Sequence, residues 1–176
     1  MPSISEGNAF PREAFADVLE ANAAYASHFS NQRLTGQAAR GLAIVTCIDS
    51  RVAPLEICGM AAGDAKILRN AGARVTSDVL RTLVLGVHLL GVRRVLVMPH
   101  TDCKMASADE ATMHEAIFEA SGVDSRSLDI RTVSDQLAAL RADITRIRSF
   151  PYLSDDLSVG GAIYDVQTGA LTTVEA

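Results

Sequence analysis

The 176-residue chain contains no tryptophan, and aromatic residues make up only 5% of it. A platform on which bases or sugars could stack is therefore not expected. Positive charge is not in excess either. Sixteen Lys and Arg against 21 Asp and Glu leave a net charge of −5, which gives no electrostatic reason to expect nucleic acid or an anionic membrane as a partner. No apolar run reaches the roughly 18 residues that a membrane span needs. Met1 to Phe10 is polar and lacks the basic end and apolar stretch of a signal peptide, so a cytoplasmic protein is expected. Cysteine is scarce: three residues, an odd number, make no disulfide framework and leave thiols free for a metal or for nucleophilic work. No Gly-x-Gly-x-x-Gly follows a strand, which argues against a dinucleotide enzyme. A phosphatase-type Cys–Arg loop fails because Ala53 stands where the arginine is needed.

What is present describes an ordinary globular α/β protein, 48% hydrophobic and 21% charged. The expected organisation is a helical arm and linker over residues 1–40 and an α/β domain over 41–176. Pro11 to Phe29 reads as an amphipathic helix, with Phe15, Val18, Leu19, Ala23 and Ala26 at helical spacing. A polar linker, Ser30 to Arg40, follows. Strands are expected at Leu42–Thr46, Ala65–Leu68 and Val92–Pro99, with a short helix over Val52–Met60 after the first of them. Arg69 to Ala73 reads as a turn whose glycine lets backbone approach something closely. Asp78–Leu90, capped by Thr76 or Ser77, is apolar nearly all round and is expected to be a buried crossover helix. Helices over Asp109–Ser121 and Ser134–Phe150, the latter capped by its serine, precede an antiparallel pair at Val159–Val166 and Leu171–Val174. This alternation predicts a mainly parallel central sheet flanked by helices, with the antiparallel pair at one edge near the C-terminus.

Two apolar runs end abruptly in reactive side chains. Ala43-Ile44-Val45-Thr46 leads into Cys47-Ile48-Asp49-Ser50-Arg51, and Val95-Leu96-Val97-Met98-Pro99 leads into His100-Thr101-Asp102-Cys103. Chemistry in open parallel sheets collects outside the carboxyl ends of the strands. If the two strands are neighbours, Cys47, His100 and Cys103 converge there. Two thiolates and an imidazole suit a catalytic Zn²⁺, which keeps a fourth position open. The spacing alone leaves a metal site and a set of structural core thiols as equal readings. Asp49 and Arg51 can lie on the same side as Cys47 and form a bidentate pair, which keeps the carboxylate ionised and oriented. The plain alternative is a salt bridge that closes the loop.

These three ordered stretches, Cys47-Ile48-Asp49-Ser50-Arg51, Arg69-Asn70-Ala71-Gly72 and His100-Thr101-Asp102-Cys103, resemble the β-class carbonic anhydrases of the compact bacterial and fungal type. The resemblance implies that Cys47, His100 and Cys103 bind Zn²⁺ and that Asp49 and Arg51 form the catalytic dyad beside the open position. It makes Asp49 a candidate fourth ligand in a closed state at lower pH. It implies reversible hydration of carbon dioxide to bicarbonate and a proton by a zinc-bound hydroxide, in a homodimer or homotetramer. Relatives of this type also hydrolyse carbonyl sulfide or carbon disulfide, and a catalytically silent zinc-binding regulatory protein is a further alternative. Two departures stand out. Lys104 follows Cys103 where many members carry glycine, and the missing tryptophan leaves the noncatalytic bicarbonate pocket of some members incomplete. Among the remaining residues, Cys58 reads as a small core residue and His88 as core or interface. His28 and His114 read as surface positions, with proton relay as the alternative, Asp102 as the cap of the following helix, and Arg69 as a pocket residue or a loop-ordering one.

Overall fold

A computed structural model describes residues 10–30 and 33–176. The polar start therefore falls almost wholly outside the described residues, as do Asn31 and Gln32 of the linker. The chain divides into two compact units, Met1–Thr35 and Gly36–Ala176. In the first, a 3-10 turn at Arg12–Phe15 leads into α1, Ala16–Ser27, and neither contains a buried residue.

The second unit is built on five strands in the order β2-β1-β3-β4-β5. β1 is Leu42–Cys47, β2 Ala65–Asn70 and β3 Arg94–Met98, followed by β4, Ser158–Tyr164, and β5, Leu171–Val174. β1 runs parallel to both β2 and β3, and β3 runs parallel to β4. Only β4 and β5 are antiparallel, joined at the turn after Tyr164. The expected mainly parallel sheet with an antiparallel edge pair is what the chain forms. β1 is buried along its whole length, which is why it reads as a continuous apolar run with no polar alternation.

Successive β1 residues face opposite layers. Ala43 and Val45 join Val95, Val97 and Val159 under two helices, α3 (Ser77–Leu89) and α5 (Gln136–Arg148), which contribute Val79, Leu80, Leu83, Leu140, Ile144 and Ile147; α4 (Glu110–Ser121) comes between them in the chain. Leu42 and Ile44 pack on the other face with Met98 and Val52, beside Ile57 and Cys58 around the single-turn α2 (Pro54–Ile57). Gly161 in β4 makes the α5 packing possible. A Cβ there would lie 2.6 Å from Ile144 Cδ1 and 3.0 Å from Leu140 Cδ1.

Several expected boundaries move. β2 runs on to Asn70 because Arg69 and Asn70 pair with Thr46 and Cys47, so the polar end of the segment is extended and the turn begins at Ala71. β3 is shorter than expected at both ends, and α2 is less than half the predicted helix. The cap of α5 is Asp135, whose carboxylate accepts from Ala138 N, and not Ser134. α3 is capped by Thr76 as expected but is not encircled by the core. Leu85 and Leu89 are 43% and 65% exposed, so its apolar circumference covers a buried face and a bare one. His88 lies on the bare side, hydrogen-bonded to the carbonyl of Tyr152, so of its two readings, core or interface, the core one is excluded.

Candidate metal centre

The register of the sheet explains why the reactive residues meet. β1 and β3 are hydrogen-bonded neighbours with Thr46 opposite Met98, so both polar stretches leave the sheet at one level. The buried Thr46 hydroxyl donates to the Met98 carbonyl at 2.7 Å and pins the two strand ends together. Past Met98 the pairing with β4 continues. Tyr164 N donates to the Pro99 carbonyl and Thr101 N donates to the Tyr164 carbonyl, which carries His100 into a β-bridge with Tyr164.

Cys47, His100 and Cys103 converge, all buried, with their candidate ligand atoms within 4.8 Å of one another. The two Sγ atoms are 4.0 Å apart. His100 Nδ1 lies 2.7 Å from the Thr101 carbonyl. That contact makes Nδ1 the protonated nitrogen and turns a bare lone pair on Nε2 toward the thiols. His100 Nε2 is a buried side-chain polar atom without a hydrogen-bond partner among the described residues. Buried nitrogens are seldom left so, and two thiols with an unpartnered imidazole nitrogen fit a tetrahedral metal with one position to spare. Burial pushes the Cys103 thiol up, partly countered by the Met105 N–H and reinforced by nearby Cys47. A metal held here would take Cys103 as the thiolate and so would offset that cost.

Gly72 reaches the sulfur from the side. Its φ of 78° is open to glycine, its N–H points at Cys47 Sγ from 3.4 Å, and a Cβ there would lie 3.1 Å from Met105 Cβ. The close backbone approach expected of this turn is to the thiol itself. Arg69 orders the loop: Nε donates to the Cys47 carbonyl at 2.8 Å and Nη2 to the Asp49 carbonyl at 2.7 Å.

Asp49 and Arg51 form the expected bidentate pair. Arg51 Nε donates to Asp49 Oδ1 at 3.0 Å, Nη2 to Oδ2 at 2.8 Å, and the Arg51 backbone N to Oδ1 at 2.9 Å. These bonds hold the Asp49 carboxyl well below the usual carboxylate range. Its Oδ2 lies 3.7 Å from His100 Nε2, so the charged carboxylate borders the convergence point.

Asp102 differs from expectation. It caps no helix; its carboxylate accepts from Arg51 Nη1 at 2.7 Å. The sequence carried no signal for this partnership between residues so far apart. Cys58 is partly buried at the core edge, where burial raises its thiol pKa, and it lies outside the converging set. His28 is exposed as expected, but His114 is largely covered, with Nδ1 2.8 Å from Ser125 Oγ and only 11% of its side chain exposed. Lys104 is exposed and opens a 3-10 turn with ordinary negative φ, so the position makes no demand for glycine.

A family model described as carbonic anhydrase matches residues 42–125. β-Carbonic anhydrase 1 of Mycobacterium tuberculosis is 33% identical over 158 residues, covering 90% of this chain and 96% of its own. The crystal structure of a carbonic anhydrase from Streptococcus mutans superposes with a TM-score of 0.85 at 36% identity, covering 96% of this chain and all of that one. The carbon disulfide hydrolase of Saccharolobus solfataricus is 28% identical over 160 residues, covering 75% of this chain and 76% of its own. With such identity sustained along nearly the whole chain, the protein belongs to the β-carbonic anhydrase family of enzymes.

Proposed function

We propose that the protein catalyses the reversible hydration of carbon dioxide to bicarbonate and a proton, using Zn²⁺ held by Cys47, His100 and Cys103. The observation that carries this reading is the unpartnered, buried His100 Nε2 facing two thiols, with an oriented carboxylate at their edge. Zn²⁺ in such a site supplies Lewis acidity that brings the pKa of a coordinated water to about 7. The chain's own residues supply the rest. Asp49, ionised and locked by Arg51, offers a fixed acceptor to whatever hydrogen-bond donor occupies the open side of the site. Arg51 keeps that carboxylate from rotating, and Arg69 fixes the backbone from which it projects. Asp49 is also the group within reach of becoming a fourth ligand. A purely structural metal site has no use for an oriented acceptor, which weighs against a silent zinc-binding regulator.

Carbonyl sulfide or carbon disulfide hydrolysis is the second reading, favoured by relatives described as carbon disulfide hydrolases. Each substrate is a linear molecule with an electrophilic carbon, so the same groups serve all three. Rates with carbon dioxide, carbonyl sulfide and carbon disulfide on one zinc-loaded preparation decide between them. Fast carbon dioxide hydration that falls about 10²-fold or more in Asp49→Ala, with zinc retained, is the expected result. Release of sulfide beside negligible carbon dioxide hydration would select the second reading.

We take residues 41–176 as the metal-binding domain, with 1–40 as an arm, and a homodimer or homotetramer as the working assembly. The exposed Leu85 and Leu89 of α3, and the exposed Val18, Leu19 and Tyr25 of α1, support an assembly that covers apolar surface. Among the described residues no helix is long and apolar enough to cross a membrane. Free thiols as ligands suit the reducing cytoplasm.

A further inference from the structure

Arg51 has two acidic partners, and only one belongs to its own loop. A second pair elsewhere in the chain shows how much this matters. Asp124 and Arg126 repeat the Asp49–Arg51 geometry: the Arg126 backbone N donates to Asp124 Oδ1 at 3.1 Å, Nε to Oδ1 at 2.9 Å and Nη2 to Oδ2 at 2.6 Å. An Asp-x-Arg fork is thus a local turn that this chain can make at its surface. What distinguishes the fork at the metal centre is Asp102. Among the described residues no second carboxylate forms a salt bridge with Arg126, whereas Asp102 meets Arg51 twice. Its Oδ2 accepts from Nη1 at 2.7 Å and its main-chain carbonyl accepts from Nη2 at 3.0 Å.

Both contacts come from one backbone choice. Asp102 has φ 54°, a left-handed conformation that costs most L-residues energy and that Asp, Asn and Gly tolerate best. Non-glycine residues held there at a site mark a geometry that the surroundings demand. The conformation aims carbonyl and carboxylate at the same guanidinium. Asp49 holds Nε and Nη2 from one side while Asp102 holds Nη1 and Nη2 from the other. Asp102 lies between His100 and Cys103, so the clamp also joins the loop bearing Asp49 to the loop bearing two of the three candidate ligands.

We propose that Asp102 is a positioning residue: by fixing Arg51 from the opposite loop, it fixes the direction in which Asp49 faces the metal position. An Asp–Arg pair held only within its own loop can swing as a unit; one anchored across to the neighbouring strand end cannot. This rests on the reading of Asp49 and Arg51 as the dyad.

Asp102→Asn and Asp102→Gly test it, because both keep the left-handed backbone and the carbonyl acceptor while removing the carboxylate. Four quantities are read on the zinc-loaded protein: hydrogen exchange of the Arg51 guanidinium N–H groups by ¹⁵N NMR, bound zinc per chain, and kcat and KM for carbon dioxide. Both variants are expected to speed Arg51 exchange and lower kcat by about two- to fivefold, the range of one partly exposed ion pair. KM, zinc content and Arg126 exchange are expected to stay as in the parent. Unchanged Arg51 exchange overturns the proposal whatever happens to kcat, and loss of zinc overturns it in favour of a role in loop structure alone. If the parent hydrates no carbon dioxide but Arg51 loosens in both variants, the clamp stands and the activity reading fails.

Discussion

Gly72→Ala is the most informative single change near the candidate metal centre, because one methyl group probes both backbone and sulfur. The residue sits at φ 78° and ψ 12°, where an L-side chain costs about 1–2 kcal/mol. The added Cβ would also lie 3.1 Å from Met105 Cβ, which is attached directly to backbone and cannot step aside as a side-chain end could. Against this, alanine restricts the unfolded chain and recovers about 0.4–1 kcal/mol. A net loss of about 1–2 kcal/mol follows once the Met105 contact is added, which in a protein of this size lowers Tm by about 3–6 °C. The second consequence is on the metal. To relieve the contact the turn must shift, taking the N–H away from Cys47 Sγ, and loss of a supporting hydrogen bond of this kind weakens metal affinity about 10- to 100-fold. Thermal unfolding of the metal-free protein reads the first effect, and competition for zinc against a chelator of known affinity reads the second. A Tm equal to or above that of the parent, with undiminished zinc affinity, would refute the reasoning.

Two further outcomes are expected. Gly161→Ala should lower stability by about 1–3 kcal/mol, since its Cβ would press on Ile144 and Leu140 beneath α5, whereas Gly160→Ala, with nothing within 4 Å, should be near neutral; equal thermal midpoints for the two would contradict the packing argument. Arg51 holds the Asp49 carboxyl below its ordinary range, so the pair contributes stability that is present above an unfolded value of about 3.9 and is lost as pH falls through the depressed folded value. Arg51→Gln should therefore move the titration of Asp49 upward toward that ordinary value, and an unchanged midpoint by carboxyl ¹³C NMR would break the assignment.

The convergence of Cys47, His100 and Cys103 was legible because its parts announce themselves at strand ends. Apolar β1 and β3 each stop at a cluster of reactive side chains, and adjacent parallel strands bring such clusters together with no further information. The glycine of the Arg69–Ala73 turn was likewise a fair sign of close backbone approach. Asp102 was not legible, since its partner Arg51 lies in another loop and its left-handed φ leaves no mark in composition. α3 misled for a different reason. Apolar residues around its whole circumference look alike whether the surface over them is the core or is open, and Leu85 and Leu89 turn out to lie on open surface. β2 outran its apolar residues because backbone pairing to Cys47 keeps Asn70 extended regardless of side chain.

The pinning of β1 to β3 by Thr46 and Met98 bears on the order in which the molecule is assembled. Cys47 and Cys103 are 56 positions apart along the chain, and closing a loop of that length costs an entropy of roughly 4 kcal/mol at room temperature. In this architecture strand association meets that cost, because the register that joins β1 to β3 also brings the two sulfurs to 4.0 Å. Before the strands pair, only His100 and Cys103, three positions apart, are near each other; once β1 and β3 pair, Cys47 joins them. The sheet register alone is enough to place the three donors together, whereas a zinc finger's donors gather only around their ion.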